Sequence, residues 1–138
     1  MSYKFEKLEV WQLSIEYVDL IYTLAEKLPR SEEFNLKSQI VRAATSISLN
    51  IAEGSTGQTN PEQARFLGMA IRSLIETVAC QHLIDRRNYL SDKTDLQEAY
   101  RKSQELARQL QAFRKSLLAQ KRQVGENQPD YLVESNDL

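Results

Sequence analysis

Between Ser38 and Ala52 the chain reads SQIVRAATSISLNIA, fifteen residues in which Arg42 is the only charge, and Glu53 and Gly54 close the run. The flanking segments are ordinary, charge-rich sequence. A helix with Ala, Ser and Thr where a solvated helix carries Lys and Glu has no face suited to water, so burial nearly all round is expected. The run therefore calls for neighbouring helices to surround it, and that constrains the fold more than any other feature of the chain.

The rest of the chain supplies those helices. With four Gly and three Pro in 138 residues, turn chemistry is scarce and a few long helices are expected. The first spans about Glu6 to Leu28 and is stopped by Pro29. It carries two apolar seams at three- and four-residue spacing. One holds Leu8, Trp11, Ile15, Val18, Tyr22 and Ala25; the other holds Val10, Leu13, Tyr17, Ile21, Leu24 and Leu28. At about 100° per residue the seams lie roughly 140° apart. Two seams suggest packing both inside the bundle and against another copy, and Val10, Leu13, Tyr17, Ile21 and Leu24 are the candidate oligomer interface.

The second helix is expected from Ser31, with Glu32 and Glu33 in its first turn, where acids suit the helix dipole. Gly54 suits a left-handed cap at its end. Asn60 and Pro61 then open the third helix as cap and first position, with Gln63 placed for a capping box. That helix runs to about Asn88, with Leu67, Ile71, Leu74 and Val78 on its apolar face. Ser91 or Asp92 caps the fourth, whose seam is Leu96, Tyr100, Leu106, Leu110, Phe113 and Leu117. Short links make neighbours antiparallel, so the expected fold is all-α, an up-down-up-down four-helix bundle over residues 1–122 with no sheet. Residues 123–138 lose the periodicity and read as a flexible acidic tail.

Charge and chemistry exclude more than they identify. The 18 bases and 19 acids nearly cancel, but four of the acids and none of the bases follow Gln123, which leaves the body at about +3. That is far from a strongly basic nucleic-acid patch. Cys80 is the sole cysteine, so no internal disulfide forms. The start has no signal-peptide pattern and no apolar run reaches the roughly 18 residues of a membrane span. A cytoplasmic protein is expected. Cys80 and His82, the only histidine, are two apart and diverge on a helix, so they cannot share a metal. No Glu-x-x-His pair, phosphate loop or dinucleotide fingerprint occurs. The expectation is a non-catalytic protein without a metal or cofactor.

One polar constellation stands out. Arg42, Ser46, Asn50 and Glu53 fall within about 80° of one helix face, and Ser73, Glu76 and Cys80 share a face of the third helix. If the second helix is buried these groups need partners. Arg42 with Glu76 or Glu53 is the obvious pair, in a structural polar network of Arg42, Ser46, Asn50, Glu53, Ser73 and Glu76.

The same residues carry a family resemblance. Phe5-x-x-Leu8-x-Val10-Trp11 opens the chain, and Pro29, Phe34, Leu36 and Gln39 follow. Then come Arg42-Ala43-Ala44-x-Ser46-Ile47-x-x-Asn50-Ile51-Ala52-Glu53-Gly54, Phe66-Leu67-x-x-Ala70 and Ser73-x-x-Glu76. Across roughly residues 3–118 this resembles the bacterial four helix bundle protein family, first noticed in intervening sequences of 23S rRNA genes. The resemblance implies an antiparallel bundle assembled into a ring-like homopentamer. It also implies a relation to accessory proteins of diversity-generating retroelements, which work beside a reverse transcriptase and its RNA. The acidic tail lies outside the family pattern.

Two function classes remain open. The first is a nucleic-acid-associated accessory factor. Ten bases face five acids between residues 85 and 122, and Arg101, Lys102, Arg108, Arg114, Lys115, Lys121 and Arg122 are the candidate RNA- or DNA-binding residues. The second is a protein-interaction scaffold whose oligomer presents repeated surfaces, with the same bases serving only as solvated helix residues.

Overall fold

The computed structural model describes residues 2–57, 59–120 and 132–133. Four helices dominate it: α1 (Glu9–Glu26), α2 (Leu36–Gly54), α3 (Asn60–Arg87) and α4 (Thr94–Ala119). A 3-10 turn at Lys4–Lys7 precedes α1, and another at Arg30–Glu32 separates α1 from α2. A two-residue antiparallel ladder joins β1 (Ser2–Tyr3) to β2 (Leu132–Val133). The ladder corrects the expectation of no sheet, since two residues are too few to leave a periodic trace. It also sets Leu132 and Val133 of the acidic segment beside the N-terminus. The remainder of 123–138, read as a flexible tail, lies outside the described residues.

Cross-helix partners fix the directions. Arg42 meets Glu76, Ser46 meets Ser73 and Gly54 meets Phe66, so α2 and α3 run antiparallel. Asp85 meets Lys93, His82 meets Tyr100 and Ala64 meets Arg114, so α3 and α4 do likewise. Glu16 with Lys102, and Lys27 with Asp95, orient α4 against α1. Each helix touches two neighbours and α1 closes the square against α4. This is an antiparallel four-helix bundle.

The core is built from one stripe of each helix. Val10, Leu13, Tyr17, Ile21 and Leu24 of α1 are all buried within this single chain. That corrects their reading as an oligomer interface: the seam faces inward, and no surface of it is left for another copy. The other seam rims the core, with Leu8, Trp11 and Val18 half-buried and Tyr22 exposed. Ile40, Ala44, Ile47 and Ile51 of α2 face it, with Leu67, Leu74 and Ile84 of α3 and Leu106 and Leu110 of α4. The α2 helix is not buried all round. A corner of a square bundle has two neighbours, so its outer half faces out, and Ser38, Gln39, Arg42, Leu49 and Glu53 are exposed there.

Helix ends shift by a few residues for local reasons. At Arg30–Glu32 a 3-10 turn replaces the expected first turn of α2. The Glu32 carboxylate, instead of Ser31, accepts from the Leu36 N–H (3.3 Å), Asn35 Nδ2 (3.0 Å) and Tyr89 Oη (2.5 Å). The Tyr89 hydroxyl holds Glu32 below the usual carboxylate range. Thr59, one residue before the expected cap, accepts from the Glu62 N–H at 3.2 Å, and Asn60 and Pro61 are already helical. Asn88 ends α3 in the left-handed region at φ 58°. Asp92 accepts from the backbone and hydroxyl of Thr94 just before α4. Among the described residues no glycine has positive φ, so Gly54 is not a left-handed cap. It is needed for close approach: a Cβ there would lie 2.9 Å from Phe66 Cβ on α3.

Candidate functional site

The residues of the predicted polar network do converge, on the outer edge between α2 and α3. The Asn50 Nδ2 donates to the Ser46 carbonyl (2.9 Å) and hydroxyl (3.0 Å) one turn earlier. The Ser73 hydroxyl reaches across to Ser46 Oγ at 3.0 Å. Arg42 and Glu76 stand 3.9 Å apart. Burial is where the expectation fails. The Arg42 and Glu76 side chains are 73% and 48% exposed, Glu53 is exposed, and Ser46, Asn50 and Ser73 are half-buried. Arg42, Thr45, Ser46, Leu49, Asn50 and Glu53 line an open groove of about 400 Å³. The spacing that gathers these groups also turns them away from the core.

The buried polar network lies elsewhere. Tyr17 Oη sits 2.7 Å from Thr77 Oγ1 and accepts from Gln81 Nε2 at 2.7 Å, linking α1 to the diagonally opposite α3. Thr77 donates in turn to the Leu74 carbonyl at 2.6 Å. Ser14 and Ser48 hydroxyls meet at 2.9 Å between α1 and α2. Burial pushes the Tyr17 hydroxyl up to about 12, because the phenolate has no water. Sequence reading counted Tyr17 as apolar and missed its partners. The signal was Thr77 and Gln81, two polar residues four apart on the face that also holds Leu74 and Ile84.

The candidate bases on α4 divide. Arg101 is paired with Glu98 (2.6 Å) and Lys102 lies 3.8 Å from Glu16 with most of its side chain covered. Arg114 Nε donates to the Ala64 carbonyl at 3.3 Å. Arg108 and Lys115 are exposed, and neither has a carboxylate partner among the described residues. Arg101, Arg108 and Lys115 are seven apart, so they drift by only about 20° each and form one stripe. Lys121 and Arg122 lie outside the described residues.

Burial raises the Cys80 thiol above its ordinary value. Among the described residues no three His, Cys, Asp or Glu side chains come together as a metal site, and no helix is long and apolar enough to cross a membrane.

Residues 6–112 match the 23S rRNA-intervening sequence protein family. The chain belongs to that family. The match takes in α1 to α3 and most of α4, including the α2–α3 edge, and stops before the acidic segment. A crystal structure of a protein of unknown function from the S23 ribosomal protein family of Bacteroides thetaiotaomicron is similar in fold, with a TM-score of 0.70 and 27% identity. The similarity covers 77% of this chain and 98% of that one. No curated protein matches. The polar members of the Arg42-to-Glu53 run and of Ser73-x-x-Glu76 thus lie, in this intervening-sequence family member, on one outer edge, while Ala43, Ala44, Ile47 and Ile51 of the same run are buried.

Proposed function

We propose that this intervening-sequence family protein is a non-catalytic, cytoplasmic accessory factor that self-assembles and attaches to RNA or DNA with little sequence preference. The carrying observation is the α4 stripe of Arg101, Arg108 and Lys115, where Arg108 and Lys115 are unpaired among the described residues. One stripe holds few charges. Assembly repeats it on every copy and sums the fields, which raises the local attraction for phosphates.

Self-assembly rests on the exposed apolar side chains. Phe34 is 95% exposed at the entry to α2, Leu49 58% on α2 and Ile75 60% on α3. Large apolar groups left open beside the polar α2–α3 edge suit contact with a further copy. Five copies is the number implied by the resemblance. Neither the family nor the solved relative names a reverse transcriptase, and the proposal stops at nucleic acid.

The test is a salt titration of binding to mixed-sequence RNA and duplex DNA. Affinity is expected to fall linearly on logarithmic axes, because each neutralised phosphate releases counterions. An Arg108→Glu, Lys115→Glu double variant lowers affinity and flattens the slope. No detectable binding at roughly 50 mM salt, by the full chain or by one truncated after residue 122, overturns the nucleic-acid reading. The α2–α3 edge would then support the scaffold reading, in which the ring binds protein alone.

A further inference from the structure

The α4 spacing puts Tyr100 in the apolar seam, yet Ser103 takes the buried place and Tyr100 stands 42% exposed. Its ring borders an open groove of about 390 Å³ between α3 and α4. The His82 ring meets Tyr100 edge to face, 5.9 Å between centroids at 81°. Tyr100 keeps part of its side chain open while it lines the groove.

The polar groups around it complement the ring. Lys93 and Arg101 stand at the rim, each held in place by a carboxylate, Asp85 at 2.8 Å and Glu98 at 2.6 Å. Gln97 lines the α4 side. Gln81 forms the floor and is 2% exposed. Its Nε2 is used by Tyr17, but its Oε1 has no hydrogen-bond partner among the described residues. A buried acceptor left unpaired is unfavourable, and because this oxygen is closed to solvent, a donor in the groove pairs with it once the Gln81 side chain turns outward.

We propose that this groove is a nucleotide site, with a base laid on the Tyr100 ring, base-edge donors and acceptors meeting Gln97 and Gln81, and the phosphate held by Lys93 and Arg101. Every base has a π-face, so stacking on an exposed tyrosine is tolerant of sequence, and cations beside the ring hold the backbone. A duplex keeps its bases stacked on each other and cannot fill the groove; an unpaired strand can. The proposal rests on the nucleic-acid reading above and deepens it. It specifies single strands and adds a ring contact to the charge contacts of Arg108 and Lys115. A free mononucleotide offers the same chemistry.

The test uses the full chain in three arms: anisotropy of a labelled single-stranded oligoadenylate, anisotropy of a duplex, and an NMR titration with adenosine monophosphate. Tyr100→Ala is expected to weaken the single strand about 5- to 150-fold while leaving the duplex unchanged, and Tyr100→Phe to retain binding. The ring is exposed, so the alanine variant should melt like the parent by circular dichroism. Shifts of His82 and Tyr100 resonances with the monophosphate, without binding of any strand, keep the groove as a free-nucleotide site and overturn the nucleic-acid reading. Single-strand binding that survives Tyr100→Ala but falls with Arg108→Glu, Lys115→Glu overturns the groove and keeps that reading. Neither strand binding nor monophosphate shifts overturns both.

Discussion

Tyr17 carries its hydroxyl into the middle of the bundle, where Thr77 and Gln81 meet it. Its raised value means that the folded state holds the proton more tightly than the unfolded chain. The stabilisation is therefore complete below the ordinary value of 10.0 and is lost as pH rises through about 12. The difference is on the order of 2–3 kcal/mol. Urea unfolding on either side of that window should show the decline in the parent, while Tyr17→Phe lacks this component. At neutral pH the same variant leaves Gln81 Nε2 without an acceptor and should cost about 1–3 kcal/mol. Glu76 behaves differently. Its pair with Arg42 is wet in the single chain, so Glu76→Ala should cost the isolated bundle under about 1 kcal/mol. If the proposed assembly desolvates the pair between copies, breaking it should cost about 3 kcal/mol or more. Melts at low and high protein concentration separate the two, and a melt insensitive to both concentration and substitution means the pair stays in water. Spacing made the α2–α3 cluster legible in the sequence. Its burial was not legible, because scarcity of charge in SQIVRAATSISLNIA does not say whether solvent, ligand or another copy faces the helix.

Gly54 shows how one residue sets the approach of two helices. A methyl group there meets Phe66 Cβ at 2.9 Å, so Gly54→Ala must push α2 from α3 or bend the helix end. A loss of about 1–3 kcal/mol by denaturant unfolding is expected; an unchanged midpoint would mean that the loop after α2 absorbs the strain. The number, order and rough extent of the helices were legible because 3.6-residue periodicity persists over many turns. Their ends were less so. Thr59 supplanted Asn60 and the Glu32 carboxylate supplanted Ser31, since any short polar side chain near the first turn is chemically competent to cap it. The α1 seams show the limit of periodicity: it finds apolar stripes but cannot say which one faces inward. Val10, Leu13, Tyr17, Ile21 and Leu24 faced the chain's own core. The exposed apolar side chains include Phe34, Leu49, Ile75 and Tyr100, whose exposure periodicity does not single out.

At the scale of the molecule, the bundle closes its own core and leaves the polar members of its family motif at the outer edge. Arg42, Ser46, Asn50, Glu53, Ser73 and Glu76 lie along one edge, flanked by exposed apolar side chains on both helices. Within the chain the edge is joined by the Ser73–Ser46 hydrogen bond and the Arg42–Glu76 pair, and the proposed contact between copies would cover the rest of it. The central claim is tested most directly by sedimentation velocity at micromolar concentration, comparing the parent with Leu49→Asp. Leu49 is exposed, so the aspartate leaves the isolated bundle folded by circular dichroism. The parent should sediment as a closed multiple of the 15.9 kDa chain, five by the resemblance, and Leu49→Asp should sediment as a folded monomer. A parent that is monomeric throughout, or a Leu49→Asp variant that assembles like the parent, would contradict the account.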